Sequence, residues 1–179
     1  MVTINRVWAM PNKHTFTIPP IRHLLARYVG DGRDWVDPFA GRHSIAEWQN
    51  DLDADAPCPS HEDALIYLQS LPASSFVGCL LDPPYSITQA KQCYNGYGFD
   101  LLDVKPTSMR YWALVKNEMA RILLPGGLAI CFGWSSMGLG KGRGFELLEL
   151  LLVPHGGSKN DTIVTVEMGV REEEVGVIA

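Results

Sequence analysis

The chain has 179 residues, of which 46% are hydrophobic and 20% charged, and its net charge is −5. This length predicts one compact domain over residues 1–179, with residues 1–12 and 170–179 as tails and no separate target-recognition domain. No apolar run approaches the roughly 20 residues of a membrane span, so no membrane partner is expected, and the start lacks a signal-peptide pattern. The four scattered cysteines favour a cytoplasmic protein with reduced thiols.

Charge is distributed unevenly along the chain, and this distribution is more informative than the sum. Residues 1–33 carry a net charge of +4 and residues 34–82 carry −8, followed by +2 over residues 83–130 and −3 over residues 131–179. A polyanionic partner is therefore expected to contact the N-terminal segment and the loops after residue 82. Such a modest basic surface predicts weak, salt-sensitive binding unless a partner contributes.

The first half of the chain alternates helical and strand patterns. Prolines in the first turn, apolar residues at helical spacing and a following glycine predict a helix at its start. Short apolar runs that end at an acid or a proline predict buried strands. The predicted elements are a helix over residues 18–29, strands over 35–37, 45–50 and 76–81, and a helix over 61–71 with Ser60 as its N-cap.

The second half continues this alternation and ends in a predicted hairpin. The expected elements are a long loop over residues 86–105, a helix over 109–124, a strand over 128–132, a glycine-rich loop over 133–144, and hairpin strands over 145–153 and 162–168. Alternating strands and helices predict an open α/β sheet that is mostly parallel, with a C-terminal antiparallel hairpin.

The most informative motif is Asp82-Pro83-Pro84-Tyr85, which follows the apolar run over residues 76–81. The prolines end the strand and stiffen the backbone, because each fixes its own φ and has no N–H to donate. Free carbonyl groups are thereby left beside a carboxylate and an aromatic ring. This set of groups is suited to binding a planar exocyclic amine.

Four acids fall at or near the predicted carboxyl ends of strands, where ligands of open α/β sheets bind. They are Asp37, Asp51, Asp63 and Asp82. Each acid alone is more simply an N-cap or a solvated turn residue. Together with the tetrapeptide, the four acids favour a binding site.

These motifs resemble those of S-adenosylmethionine-dependent DNA N6-adenine methyltransferases with an Asp-Pro-Pro-Tyr motif, the small stand-alone enzymes of phages and prokaryotes in particular. The likeness covers residues 13–168. It implies a Rossmann-like methyltransferase fold, S-adenosylmethionine as cofactor and no metal. It implies catalytic roles for Asp82, Pro83, Pro84 and Tyr85, and cofactor-binding roles for Asp37, Pro38, Phe39, Ala40, Gly41, Asp51, Asp63, Ala64, Thr15 and Phe16.

The resemblance also implies a mechanism. Asp82 and the Pro83 carbonyl would accept the two N–H groups of the target amine, and Tyr85 would stack on a base flipped out of the duplex. DNA is favoured over RNA as the nucleic-acid partner. The candidate nucleic-acid contacts are Lys91, Tyr94, Lys141, Arg143 and Lys159.

Two departures from the family pattern leave alternatives open. Only a few residues separate Gly41 from the next strand, so no helix is expected there. The second departure is the expected lack of a target-recognition domain, for which a recognition subunit or a homodimer would supply the sequence specificity. The same chemistry serves cytosine N4 in DNA or adenine N6 in RNA, and protein glutamine methylation ranks last. A different class of function is a non-catalytic subunit that binds nucleic acid or a partner.

Overall fold

The computed structural model describes residues 1–84, 108–157 and 159–170, and these residues form a seven-stranded sheet with helices on both faces. The strands are β1 (Thr3–Arg6), β2 (Trp35–Asp37), β3 (Trp48–Gln49), β4 (Phe76–Leu81), β5 (Leu123–Gly133), β6 (Phe145–Val153) and β7 (Thr162–Gly169). The α-helices are α1 (Pro19–Tyr28), α2 (Ala64–Ser70) and α3 (Met109–Ile122), with short 3-10 turns at Thr15–Thr17 and Lys141–Arg143.

The strand order is β1-β6-β7-β5-β4-β2-β3. All neighbouring pairs are parallel except β5–β7 and β6–β7, which are antiparallel because β7 returns from β6 through a hairpin. The predicted α/β class, the mostly parallel sheet and the C-terminal hairpin are therefore confirmed. The chain runs outward from β2 to β3 and then returns to the other side of β2 as β4. This reversal is a topological switch point, where open α/β sheets bind ligands.

The two faces of the sheet are covered by different helices. On one face, α2 and α3 bury Leu68 and Val115 against Cys79 of β4. On the other face, α1 buries Leu24 against Leu80 of β4. Because both faces are covered, the apolar run of β4 is nearly continuous, as expected of a parallel central strand. Each fully buried leucine contributes roughly 1.5–3 kcal/mol.

The connection from β5 to β6 is the predicted glycine-rich loop, and it contains one 3-10 turn. Side chains from α3 and β7 hold this loop in place. The buried carboxylate of Glu167 accepts the N–H groups of Leu139 and Gly140, and the ammonium group of Lys116 donates to the Gly138 carbonyl at 2.8 Å. A Cβ on Gly138 would lie 2.0 Å from a Glu167 carboxyl oxygen, which explains the glycine at this position.

Several predicted boundaries are wrong. Residues 3–6 are not a tail, because β1 pairs in parallel with β6 as an edge strand. The second helix begins at Ala64, with Asp63 rather than Ser60 as its N-cap. The strand β5 begins at Leu123, and its register against β4 shifts so that the Pro125-Gly126-Gly127 segment is accommodated.

Two further predictions, a strand over residues 45–50 and a loop over residues 86–105, have different outcomes. The predicted strand over residues 45–50 is confined to β3 and an isolated bridge between Asn50 and Ser60. The predicted loop over residues 86–105 lies outside the described residues, as do residues 171–179. Within the parts of the chain that are described, no helix has the length and apolar character needed to cross a membrane.

Candidate active site

The carboxyl ends of β2 and β4 bring three of the predicted acids together. Asp37 is the last residue of β2, and Asp82 directly follows β4, whose Cys79 pairs with Val36 of β2. Asp51 follows the end of β3. The charges of Asp82 and Asp51 both act on Asp37, so the three carboxylates form one electrostatic cluster.

Asp37 is completely buried, and its carboxylate is held by two local hydrogen bonds. One oxygen accepts the Phe39 N–H at 3.0 Å, and the other accepts the Ser44 hydroxyl at 2.6 Å. Burial raises the pKa of Asp37 to about 7, these two bonds oppose the rise, and the charges of Asp82 and Asp51 add to it. No ion pair among the described residues neutralises this carboxylate.

Asp51 joins the loop after β2 to the loop after β3. One carboxylate oxygen accepts the Gly41 N–H at 2.7 Å, and the other accepts the Asp53 N–H at 2.9 Å. Gly41 has a positive φ of 53°, a conformation that favours glycine. Because each carboxylate oxygen offers two lone pairs, Asp51 keeps acceptor capacity for a ligand hydroxyl. Residues 41–44, which precede the predicted second strand, form a turn and irregular loop rather than a helix, as predicted.

Asn50 organises the same loops, and sequence reasoning missed it. Its buried amide donates to the carbonyls of Pro38 at 3.2 Å and Glu62 at 2.9 Å, and its oxygen accepts the Glu62 N–H. The backbone of Asn50 also bonds to Asp37 and to Ala40. A single asparagine before an acid carries no signal in the sequence, since its role depends on three loops that only the fold brings together.

Asp63 lies at the start of α2 and acts there as an N-cap. One oxygen accepts the N–H groups of Leu65 and Ile66, and the other accepts the buried Tyr111 hydroxyl at 2.6 Å. Ala64 is the first residue of this helix and is buried. The carboxylate therefore joins α2 to α3. Its expected contact with an adenine ring stays a prediction.

A cavity between the N-terminal segment and the loop after β2 opens beside Asp82. Residues 13–16, residues 39–43 and Asp82 line it. Phe16 is buried, and its ring lies 5.1 Å from the ring of Phe132 at the end of β5. The predicted cofactor-binding residues Thr15, Phe16, Phe39, Ala40 and Gly41 therefore share one cavity with the predicted catalytic acid.

The remaining motif residues differ in what can be said of them. Pro38 is buried and Phe39 is half-buried, with its ring 5.9 Å from the ring of Trp112. Pro83 and Pro84 are half-buried beside Asp82. Tyr85, Lys91 and Tyr94 lie outside the described residues.

The other candidate nucleic-acid contacts fall at opposite ends of the sheet. Lys141 and Arg143 lie just before the amino end of β6, whereas Asp82 follows the carboxyl end of β4. Because β4 and β6 run in the same direction, these residues lie at opposite ends of the sheet. The Arg143 guanidinium instead donates to Asn117 and to carbonyl groups of the loop and α3. Lys159 is exposed in the turn between β6 and β7, at the same end as Asp82.

The arrangement of groups indicates what this site can bind. Three carboxylates at one edge of the sheet attract a cation, and Asp51 offers acceptors to hydroxyl groups. Within the described residues, no group of three or more histidine, cysteine or carboxylate side chains is arranged to hold a metal ion. Carboxylates that attract a cation and can accept from hydroxyl groups suit an organic cation that carries hydroxyl groups.

Comparison with known proteins bears on the fold. No family model and no curated protein matches the sequence. The 1,6-didemethyltoxoflavin-N1-methyltransferase of Burkholderia thailandensis, solved with 1,6-didemethyltoxoflavin and S-adenosylhomocysteine, has a TM-score of 0.59 at 11% identity, covering 89% of this chain and 80% of that chain. The chain has a Rossmann-like methyltransferase fold. TrmN from Thermus thermophilus has a TM-score of 0.54 at 17% identity, covering 88% of this chain and 50% of that chain.

Proposed function

We propose that the protein transfers a methyl group from S-adenosylmethionine to the exocyclic N6 amine of adenine in DNA. One observation carries this proposal: the Asp82-Pro83-Pro84 segment follows β4 at the switch point of a methyltransferase fold, directly beside the Asp37 and Asp51 carboxylates. An amine-binding group and a cation-binding group thus share one edge of the sheet.

The acid cluster supports S-adenosylmethionine as the cofactor. Asp37 is buried at the end of β2 with a pKa raised to about 7, first by burial and then by neighbouring carboxylates. A bound cation would lower this pKa, because an opposite charge favours the ionised acid. Asp51 would hold the ribose hydroxyls, and Phe16 would contact the methionine part. When bound, S-adenosylmethionine supplies an electrophilic methyl group on a sulfonium.

Asp82 and Pro83 supply the chemistry that the target amine needs. An exocyclic amine is a poor nucleophile because its lone pair is delocalised into the aromatic ring. Asp82 accepts one N–H of the amine and the Pro83 carbonyl accepts the other, which draws the nitrogen towards tetrahedral geometry. The nitrogen lone pair would form the new N–C bond as the bond between that methyl group and sulfur breaks, the sulfur would keep the bonding electrons as a neutral thioether, and the surplus proton would leave through Asp82 to solvent. Positioning of the amine contributes much of the acceleration.

The first test measures transfer of labelled methyl from S-adenosylmethionine to duplex DNA, single-stranded DNA and total RNA in parallel at low salt. A nucleoside and a free heteroaromatic base complete the set of acceptors, since one protein of similar fold was solved with a small heteroaromatic ligand. Mass analysis of digested nucleosides then distinguishes N6-methyladenine from N4-methylcytosine. We expect label in DNA as N6-methyladenine.

The variant Asp82→Ala is expected to lower the transfer rate by about 10²–10³ while cofactor affinity stays close to that of the wild type. Asp31→Ala removes an exposed carboxylate at the amino end of β2 and serves as the matched control, with activity unchanged. Full activity in Asp82→Ala would contradict the mechanism. Cofactor binding without label in any acceptor would favour a non-catalytic binding subunit.

A further inference from the structure

Four basic side chains from two distant segments meet at the cavity beside Asp82. Lys13 and His14 precede the 3-10 turn at Thr15–Thr17, and Arg42 and His43 directly follow Gly41. The imidazole rings of the two histidines lie 4.4 Å apart between centroids, with an interplanar angle of 65°. All four residues line the cavity that Asp82 also lines. We call these four residues the basic rim.

The side chains of the basic rim are available to a ligand. Lys13, Arg42 and His43 are exposed, and His14 is half-buried. Of the ion pairs found among the described residues, none involves Lys13 or Arg42. Partial burial and the positive charges of His43, Lys13 and Arg42 lower the pKa of His14, so these four groups share one local field.

The position of the basic rim is informative because the adjoining segment is acidic. Residues 34–82 carry a net charge of −8, and Arg42 is their only lysine or arginine. The carboxylates that suit a cationic cofactor would repel a polyanion that approaches the same edge of the sheet. Basic side chains directly beside Asp82 offset this repulsion at the place where a nucleotide would enter.

We propose that the basic rim binds the phosphodiester backbone next to the target nucleotide, with Lys13 and Arg42 contacting phosphate oxygens. This inference rests on the proposed function, because a target amine held at Asp82 places the neighbouring phosphates at the mouth of the same cavity. The Arg42 guanidinium suits two oxygens of one phosphate, whereas the Lys13 ammonium group acts as a point charge. Contacts of this kind position the strand without reading its sequence.

The test measures binding of a fluorescently labelled short duplex to the full chain as a function of salt, without cofactor. Lys13→Gln and Arg42→Gln each remove one exposed positive charge, and Arg33→Gln removes an exposed charge at the amino end of β2 as the matched control. For each rim variant we expect the slope of log K against log salt to fall by about 0.9, the contribution of one phosphate contact to duplex DNA. Arg33→Gln is expected to leave the slope unchanged.

Single-stranded DNA and RNA of the same sequence are measured in parallel, since they share the phosphodiester chemistry and differ in sugar and shape. A loss of slope on all three nucleic acids, about 0.9 on the duplex and about 0.7 on the single strands for each rim variant, supports a backbone contact. Calorimetric titration with S-adenosylmethionine tests the competing role, in which the basic rim holds the carboxylate of the cofactor. Weaker cofactor binding in the rim variants with an unchanged salt slope would overturn the proposal.

This experiment also separates the proposal from the proposed function. In one outcome, the wild-type protein binds DNA, Lys13→Gln and Arg42→Gln lower the salt slope, and no methyl group is transferred. This outcome would refute the proposed enzymatic activity and support the basic rim as a DNA-binding surface. In another outcome, the protein transfers methyl groups to DNA, and the salt slopes of the wild type and both rim variants are identical. This outcome would support the proposed activity and contradict phosphate binding by the basic rim. Absence of salt-dependent binding in the wild type overturns the basic rim as well.

Discussion

Two buried carboxylates, Asp37 on β2 and Glu149 on β6, differ in how the fold treats their charge. Glu149 accepts hydrogen bonds from Asn5 at 3.0 Å, Arg27 at 2.9 Å and Tyr28 at 2.8 Å. Burial acts to raise the pKa of Glu149, but these three bonds outweigh it and the net shift is downward. Asp37 has two uncharged donors, no ion pair among the described residues and two neighbouring acids, and burial with these acids raises its pKa to about 7.

The comparison separates a structural acid from a candidate ligand-binding acid. Glu149 has its counter-ion within the protein. Its hydrogen bonds join β6 to β1 and α1. Asp37 lies at the switch point of the sheet, where Phe39 and Ser44 are the two hydrogen-bond donors to its carboxylate found among the described residues. A buried acid that destabilises the unliganded protein is a common property of functional sites.

The largest effect is expected for Asp37→Asn, which should stabilise the unliganded protein at alkaline pH. The folded-state pKa of Asp37 lies above its ordinary value, so its stability contribution is complete below about pH 4 and is lost as the pH rises through about 7. An asparagine of the same shape carries no charge, and its oxygen can accept the Phe39 N–H while its amide N–H donates to the Ser44 oxygen, which reverses the direction of that bond. The gain in unfolding free energy should therefore approach about 4 kcal/mol at about pH 8 and vanish near pH 4.

Urea unfolding of the wild type and Asp37→Asn across this pH range checks the prediction. The same variant should bind S-adenosylmethionine more weakly, because the negative charge is lost. A variant that is less stable than the wild type at about pH 8 would mean that the Asp37 carboxylate is structural, like that of Glu149.

Glu149→Ala should have the opposite effect and destabilise the protein at neutral pH. Removing the carboxylate leaves Arg27, Tyr28 and Asn5 without their shared acceptor. Because Arg27 is 57% exposed and can be solvated, the expected loss is about 2 kcal/mol, below the range for fully buried pairs. Thermal or urea unfolding measures it.

Glu146→Ala is the matched control, since Glu146 lies on the same strand and is exposed. Its unfolding free energy should stay within about 0.5 kcal/mol of the wild type. Methyl transfer per folded molecule should be retained in both glutamate variants. A selective loss of transfer in Glu149→Ala would mean that the β6 side of the sheet contributes to the site.

Two variants distinguish the two roles of Asp63, and the milder one has the smallest expected effect on stability. Asp63→Ala removes the N-cap of α2 and the acceptor for the buried Tyr111 hydroxyl, with an expected loss of about 2 kcal/mol. Tyr111→Phe removes the second interaction, keeps the N-cap and should cost about 1 kcal/mol. Cofactor affinity measured on both variants then tests the predicted adenine contact. Equal affinity in the wild type and Asp63→Ala would show that Asp63 has a structural role and does not contact the cofactor.

Much of the fold could be predicted because its elements carry local patterns. The prolines in the first turn of α1, the apolar run of β4 and the hairpin strands β6 and β7 can each be recognised within about ten residues. The edge strand β1 carries no such signal, since all four of its residues are exposed. The start of α2 was misassigned because Ser60 and Asp63 are both acceptable caps, and only the three-dimensional contact with Tyr111 favours the second.

The sequence by itself determined the alternation of strands and helices, the acids at strand ends and the rigid Asp82-Pro83-Pro84 segment, since these depend on backbone preferences and hydrophobic periodicity. The tertiary structure alone decided which charges meet. It buried Asp37 among carboxylates, brought Lys13 beside Arg42, and directed Arg143 towards α3 instead of the site. Electrostatic interactions act through distances in space, and the order of residues along the chain does not define those distances.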